Sequence, residues 1–293
     1  MQVVIFGKQF KEKDLEYVQA LLNVLYEEGF NTYIYTPYLN DIRKKVRFPG
    51  PYAPFDTHRD FLVHRIDFVI VLGGDGTMLN AVTLIRDAGV PMLGINLGRM
   101  GFLASIEKVL IRESIQKLQR GQYYIEERSA LYLESHPELF GDIPFALNDC
   151  TLLKRDTSSM ITIHTFLNGD YLNSYWADGI IIATPTGSTG YSLSCGGPII
   201  FPDSNNFVLT PVAPHNLNVR PIVLSDESVI SFEIEGRAEN FICTLDSRLE
   251  HVTASHQLAV RKNDFPIKLV QLQDNTFLKT IREKLAWGTD IRN

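Results

Sequence analysis

Apolar residues follow one rhythm in the first 121 residues of this chain and another after them. Residues 3–6, Val-Val-Ile-Phe, form a continuous apolar run ending at Gly7, which predicts a strand buried on both faces. Leu15, Val18, Leu21, Leu22 and Leu25 follow at helical spacing with Gly29 as a stop, so a helix is expected over 11–28. Residues 32–35 give a second strand, and this β-α-β opening predicts a parallel sheet with covered faces. Residues 36–58 carry Pro37, Pro49, Gly50, Pro51 and Pro54 around a basic group and read as one long mobile loop. A second buried run, Phe68 to Leu72, breaks at Gly73-Gly74-Asp75-Gly76-Thr77, after which a helix is expected over 77–88. Residues 91–96 give another strand, a second glycine turn follows (NLGRMGFL, 96–103), and a helix over 107–120 ends at Gly121.

After Gly121 the periods shorten. Segments 129–134, 160–167, 180–183, 228–233, 241–245, 257–261 and 267–271 are β-rich and separated by turn signals. The expected fold is therefore an α/β N-terminal domain (1–121) with a parallel, Rossmann-like sheet, and a mainly β C-terminal domain (122–274). Helical spacing returns with Leu278, Ile281 and Leu285, so 275–293 is expected to pack back on the N-terminal domain.

Composition narrows the chemistry. A length of 293 residues accommodates two domains, and 45% hydrophobic with 21% charged residues fits a soluble globular protein. The net charge of −6 leaves no basic excess for general nucleic-acid binding. Cys150, Cys195 and Cys243 are odd in number and far apart, which is neither a disulfide framework nor zinc spacing. The N-terminus opens directly on a strand and no apolar run reaches membrane-spanning length, so a cytoplasmic protein with reduced thiols and no membrane partner is expected.

Strand, glycine turn and helix start in that order suit phosphate binding, because glycines admit close approach and the helix N-terminus offers N–H groups. Asp75 sets this turn apart. It is either a helix cap or the carboxylate that a phosphoryl transfer onto a hydroxyl requires. A second stretch, Thr184-Pro185-Thr186-Gly187-Ser188-Thr189-Gly190-Tyr191-Ser192-Leu193-Ser194, follows an apolar strand and is dense in hydroxyls and glycines suited to a nucleotide. Asn148-Asp149 and Asp178, by spacing alone, are ordinary turn residues. His215 and Arg220 read as loop residues, and no strand is followed by a GxGxxG helix start.

Together, GGDGT, NLGRMGFLA, Asn148-Asp149, ADGIIIATPTGSTGYSLSCGGP, PHNLNVRP and the C-terminal LAWG resemble the ATP-dependent NAD kinases over nearly the whole chain. GGDG alone is shared with lipid and sugar kinases; the TPTGSTGYSLS stretch makes the resemblance specific. It implies transfer of the ATP γ-phosphoryl group to the 2′-hydroxyl of the adenosine ribose of NAD, giving NADP. It also implies a divalent cation (Mg²⁺) carried by the nucleotide phosphates without a dedicated protein ligand, and a homodimer or homotetramer. The proton acceptor falls on Asp75. NAD contacts fall on Asp75, Gly76, Asn148, Asp149, Asp178, Thr186, Thr189, Gly190, Tyr191, Ser192, Leu193 and Ser194. Further contacts fall on Ser159, Trp176, Ala213 and Arg248. Independently of the resemblance, Gly73, Gly74, Thr77 and Arg99 of the two glycine turns, with Lys8 after Gly7, are candidate contacts of the ATP phosphates.

Departures from the family pattern concentrate in the acceptor site. Gly190 stands for the usual alanine, Trp176 for a frequent arginine, Ser159 for a histidine and Arg248 for a glutamine. The alternatives are a lipid or sugar kinase built on the same GGDG turn, or a non-catalytic NAD(P)-binding sensor. The sequence leaves open NAD against NADH, ATP against polyphosphate, and feedback by NADPH.

Overall fold

The continuous apolar runs of the N-terminal part become the inner strands of one parallel sheet. The computed structural model describes residues 1–98, 101–155, 160–236, 240–272 and 276–287. Strands β1 (Gln2–Gly7), β2 (Asn31–Tyr35), β3 (Tyr52–Phe55), β4 (Phe68–Leu72) and β5 (Met92–Asn96) pair in parallel in the order β3-β2-β1-β4-β5. Every residue of β4 and β5 is buried, as strands covered on both faces require. The covering helices are α1 (Leu15–Glu27), α2 (Thr36–Ile42), α4 (Asp75–Ile85) and α5 (Ile111–Gln119), while the single turn α3 (Asp60–Val63) buries no residue. On α1 the side chains of Val18, Leu21, Leu22 and Leu25 are buried, each gaining about 1.5–3 kcal/mol on leaving water. Short β6 (Ile106–Glu107) lies beside β5, and β7 (Tyr123–Arg128) takes the far edge.

Residues 36–58 are not the single mobile loop that their prolines suggested. Pro37 sits in the first turn of α2, where its missing N–H leaves nothing unpaired, and Tyr38 and Ile42 behind it are buried. Pro54 lies on β3, the edge of the sheet, where a strand tolerates the loss of a donor.

The second unit holds two six-stranded sheets. Its strands are β8 (Leu131–His136), β9 (Phe145–Ala146), β10 (Asp149–Lys154), β11 (Ile161–Leu167), β12 (Asp170–Ala177), β13 (Gly179–Ala183), β14 (Asn206–Val212), β15 (Ile222–Ser225), β16 (Ile230–Glu235), β17 (Phe241–Leu245), β18 (Arg248–Val252) and β19 (Gln257–Lys262). One sheet runs β15-β14-β13-β10-β17-β18 and the other β12-β11-β16-β19-β8-β9. Both contribute to one apolar core, with Leu152, Ile180, Ile182 and Phe241 from the first and Leu133, Ile163, Phe232 and Val260 from the second. A single helical turn, α6 (Tyr191–Ser194), follows β13.

The chain then returns to the first sheet. Strand β20 (Ile267–Leu272) pairs in parallel with β5 and neighbours β7. The units are accordingly 1–127 with 267–293, and 128–266, so the expected borders at 121 and 274 enclose two strands that belong to the N-terminal sheet. Local pattern identified both strands but carries no information about which sheet they join. Helix α7 (Phe277–Leu285) ends the described chain, with Phe277 6.3 Å from the ring of Phe102 in the same unit.

Candidate functional site

Helix α4 begins at Asp75, two residues before the expected start, with Gly74 as its N-cap. The carboxylate thus occupies the first turn, where the helix dipole favours an anion. It does not cap its own helix. Oδ2 accepts the N–H of Phe102 at 2.7 Å, and Oδ1 accepts those of Leu103 and Ala104, each at 3.0 Å. The second glycine turn therefore closes around Asp75. Only glycine fits at position 101, because a Cβ there would stand 1.7 Å from Asp75 Oδ1. A carboxylate offers about four lone-pair directions, so one remains open, and it lies on Oδ2.

Strands β1 and β4 are neighbours, and the chain winds from them in opposite directions, toward β3 on one side and β5 on the other. Ligands of open α/β sheets bind beyond the strand C-termini at such a reversal. A cavity of about 520 Å³ lies there, lined by Gly73, Gly74, Thr77, Lys8, Lys11 and Lys13 among others. Lys8 also lines a second cavity of about 440 Å³ with Tyr35, His58 and Asn80. Ammonium groups beside glycine backbone suit phosphate oxygens. No three His, Cys, Asp or Glu side chains gather as a metal cage among the described residues.

In the second unit, Asn148 and Asp149 stand at the start of β10, where Asp149 pairs with Ala183 at the end of β13. The hydroxyl-rich stretch begins immediately after Ala183, and the two segments are locked together. Thr184 N–H donates to the Asn148 carbonyl at 2.8 Å and Thr184 Oγ1 to the Leu147 carbonyl at 2.6 Å. A Cβ on Gly187 would lie 2.0 Å from the Asn148 carbonyl oxygen, so this packing requires glycine. At Gly190, a Cβ would meet the Gly187 carbonyl at 3.2 Å and the Asn148 and Asp149 side chains at 3.9 Å. The missing methyl widens the space beside those two side chains. Asn148 Oδ1 is buried without a hydrogen-bond partner among the described residues.

Asp149 is 7% exposed and accepts the Thr151 hydroxyl at 3.2 Å. Burial, and then the neighbouring Asp246 carboxylate, push its pKa up to about 7, against the opposing effect of the Thr151 bond.

The hydroxyls of the stretch divide into two groups. Ser188 donates to the Pro185 carbonyl at 2.6 Å and Ser192 pairs with Thr210 at 2.8 Å, both fully buried. Thr186 accepts from Arg128 at 3.2 Å, and Thr189 bonds back to the Thr186 carbonyl at 3.1 Å. Tyr191 and Ser194 are exposed and Leu193 half-buried. Gly76 is exposed in the first turn of α4.

Other candidates lie elsewhere in the unit. Asp178 precedes β13, at the opposite end of that strand from Thr184, and pairs with Lys154 at 2.5 Å. Exposed Trp176 packs on His215 with ring centroids 4.3 Å apart, and Ala213 adopts a left-handed φ of 44° nearby in sequence. Arg248 donates to the carbonyls of Ile143 and Phe145. Arg99 and Ser159 lie outside the described residues. Sequence reasoning passed over Asp246, whose carboxylate accepts the backbone N–H groups of Leu147, Asn148 and Asp149. No local signal marks it, since an aspartate between two strands reads as a turn residue.

Comparison with known proteins finds relatives along the whole chain. The ATP-NAD kinase N-terminal domain family matches residues 3–123 and the ATP-NAD kinase C-terminal domain family residues 147–272. The NAD kinase of Cytophaga hutchinsonii is 46% identical, and that of Flavobacterium psychrophilum 43%, each with both chains covered completely. A yeast NADH kinase solved with NADH superposes with a TM-score of 0.88 at 24% identity, covering 100% of this chain and 89% of the other. An NAD kinase from Archaeoglobus fulgidus solved with ATP gives 0.72 at 23%, covering 98% and 99%. The two structures share the fold, the two bacterial sequences share the length as well, and the chain belongs to the ATP-NAD kinase family.

Proposed function

We infer that this chain is an ATP-dependent NAD kinase, which transfers the γ-phosphoryl group of ATP to the 2′-hydroxyl of the adenosine ribose of NAD to make NADP. The observation that carries the mechanistic part is the Asp75 carboxylate, held by three amides with a single open lone pair on Oδ2. A ribose hydroxyl is far too weak an acid to lose its proton to a carboxylate in advance. Asp75 Oδ2 instead accepts the hydroxyl hydrogen bond, aims the oxygen at the phosphorus, and takes the proton late, as the transferring group is captured. Fixed amides keep the carboxylate from turning away, so the orientation is set before substrate arrives.

Lys8, Lys11 and Lys13, with the Gly74 amide and the Thr77 hydroxyl, take the donor triphosphate in the cavity at the strand reversal, where the Gly73 and Thr77 amides are already bonded to the Ile95 and Gly74 carbonyls. A divalent cation, Mg²⁺ in this proposal, supplies charge neutralisation between the phosphate oxygens when bound. Asn148, Asp149, Thr186, Thr189, Gly190, Tyr191, Leu193, Ser194 and Asp178 hold the NAD, with Trp176 and Ala213 at its periphery; the Ser192 hydroxyl and the Arg248 guanidinium are engaged within the protein. The yeast fold neighbour solved with NADH and the archaeal one solved with ATP support binding of both substrates. The working form is a homodimer or homotetramer, which light scattering measures.

The deciding experiment is NADP formation by the purified chain with ATP and Mg²⁺, run beside diacylglycerol and fructose 6-phosphate as acceptors. Asp75→Asn is expected to keep NAD affinity within a few-fold while removing most turnover; near-normal kcat would take Asp75 out of the proton-acceptor role. Dinucleotide binding without NADP formation in the parent would support a sensor instead. Pairing NAD or NADH with ATP or polyphosphate in the same assay resolves acceptor and donor preference.

A further inference from the structure

The turn between β17 and β18 is built from residues that the reaction does not explain. Asp246 adopts a φ of 54°, a left-handed conformation that L-residues other than Asn and Asp seldom take. Its carboxylate leaves the turn and crosses to the run ahead of β10. Oδ1 accepts the N–H of Asn148 at 2.7 Å and of Asp149 at 3.3 Å, while Oδ2 accepts that of Leu147 at 3.1 Å. The Asp246 N–H donates back to the Asp149 carbonyl at 3.0 Å. Two residues on, the Arg248 guanidinium donates to the carbonyls of Ile143 and Phe145 and lies over the Phe140 ring at 5.6 Å. One turn thus grips residues 143–149 through both kinds of backbone group, the cation on carbonyls and the anion on amides. On the far side, Thr184 takes the carbonyls of Leu147 and Asn148.

The backbone of Leu147 and Asn148 is therefore held on N–H and carbonyl alike, which fixes where the Asn148 and Asp149 side chains point. We propose that Asp246, assisted by Arg248, is the positioning residue of the NAD site, setting the presentation of Asn148 and Asp149 through their backbone amides without touching the ligand. The proposal rests on the reading of Asn148 and Asp149 as NAD contacts.

Two substitutions separate the carboxylate from the turn conformation. Asp246→Asn tolerates the left-handed backbone and keeps the Oδ1 acceptor, but turns an NH₂ donor toward the Leu147 N–H. Asp246→Gly also tolerates the backbone and removes all three acceptors. Steady-state kinetics of the full chain, with Asn148→Ala as reference, should show KM for NAD raised about tenfold in Asp246→Asn, the equivalent of one charge-assisted bond, and further in Asp246→Gly. KM for ATP should stay within about twofold. Arg248→Met, which leaves the carbonyls of Ile143 and Phe145 without their donor, should raise KM for NAD by less than Asp246→Gly. A lower melting temperature with both KM values unchanged would mean a role confined to stability and would overturn the proposal. A raised KM in Asn148→Ala beside a normal one in both Asp246 variants also overturns it. A normal KM in Asn148→Ala overturns the underlying reading of the NAD contacts, and the positioning role with it.

Discussion

Gly101→Ala perturbs the proposed proton acceptor without altering it. The added Cβ would lie 1.7 Å from Asp75 Oδ1, 2.3 Å from Cγ and 2.6 Å from Oδ2. Ordinary contact begins at 3.4 Å, so the carboxylate must retreat by about 1.7 Å, or the turn must open by as much. Bonds of 2.7–3.0 Å to three amides do not survive a shift of that size. Each is worth about 1.5–3 kcal/mol in principle, but Asp75 is half-exposed and water replaces much of what is lost. The net effect is about 1–3 kcal/mol, a fall of a few degrees in melting temperature. The kinetic effect is larger, since misplacing a catalytic group by about 1 Å lowers rates roughly a hundredfold. Gly101→Ala should therefore lower kcat about a hundredfold while leaving KM for NAD and for ATP within a few-fold. Initial rates of NADP formation, read beside differential scanning fluorimetry, test this. A kcat within threefold of the parent, in a variant showing the thermal shift, would refute the assignment, because the carboxylate would then have moved with no effect on turnover.

Two further outcomes follow from the same geometry. Asp149 holds a proton in the folded state up to about pH 7, whereas the unfolded chain releases it near ~4. Between those values the folded form binds more protons, so its contribution to stability is full below about pH 4 and is lost as pH rises through about 7, on the order of 4 kcal/mol as an upper bound. Asp149→Asn should flatten that part of the pH–stability curve in urea melts; an unchanged slope would assign it to another group. Lys8→Ala should raise KM for ATP several-fold with KM for NAD unchanged, because Lys8 lines the cavity at the strand reversal beside Gly73 and Gly74. An equal rise in both constants would remove it from the donor site.

What the sequence disclosed depended on how far each interaction reaches. The runs at 3–6 and 68–72 and the helical spacing of Leu15 to Leu25 are local patterns, and they reappear as β1, β4 and α1 within a few residues. The 36–58 segment departs from its loop-like composition because Pro37 occupies a helix first turn and Pro54 an edge strand, where neither interferes. Sheet membership of β7 and β20 was not legible, since a strand's sequence does not name its neighbour. For the candidate site, the GGDGT and TPTGSTGYSLS stretches were visible as motifs. Their internal bonding was not, and the buried hydroxyls of Ser188 and Ser192 are spent on the fold itself.

Asp75 and Asp246, one in each unit, act by the same device. Asp75 gathers three consecutive amides 27 to 29 residues away, and Asp246 gathers three that are 97 to 99 away. Neither target, 102–104 nor 147–149, is held wholly by regular secondary structure, and taken singly each reads as a flexible turn or a strand end. A carboxylate arriving from another element supplies the missing acceptors, which a site built on loops needs if its side chains are to keep one geometry. The arrangement restricts the sequence in a recognisable way. Three residues in a row must carry an N–H, which excludes proline, and something at closest approach must lack a Cβ, which selects Gly101 beside Asp75 and Gly187 beside the Asn148 carbonyl. Gly101 and Gly187 therefore answer to contacts between distant segments, the Asp75 carboxylate and the Asn148 backbone, rather than to nucleotide phosphates. Their substitution should disturb geometry first and phosphate affinity second.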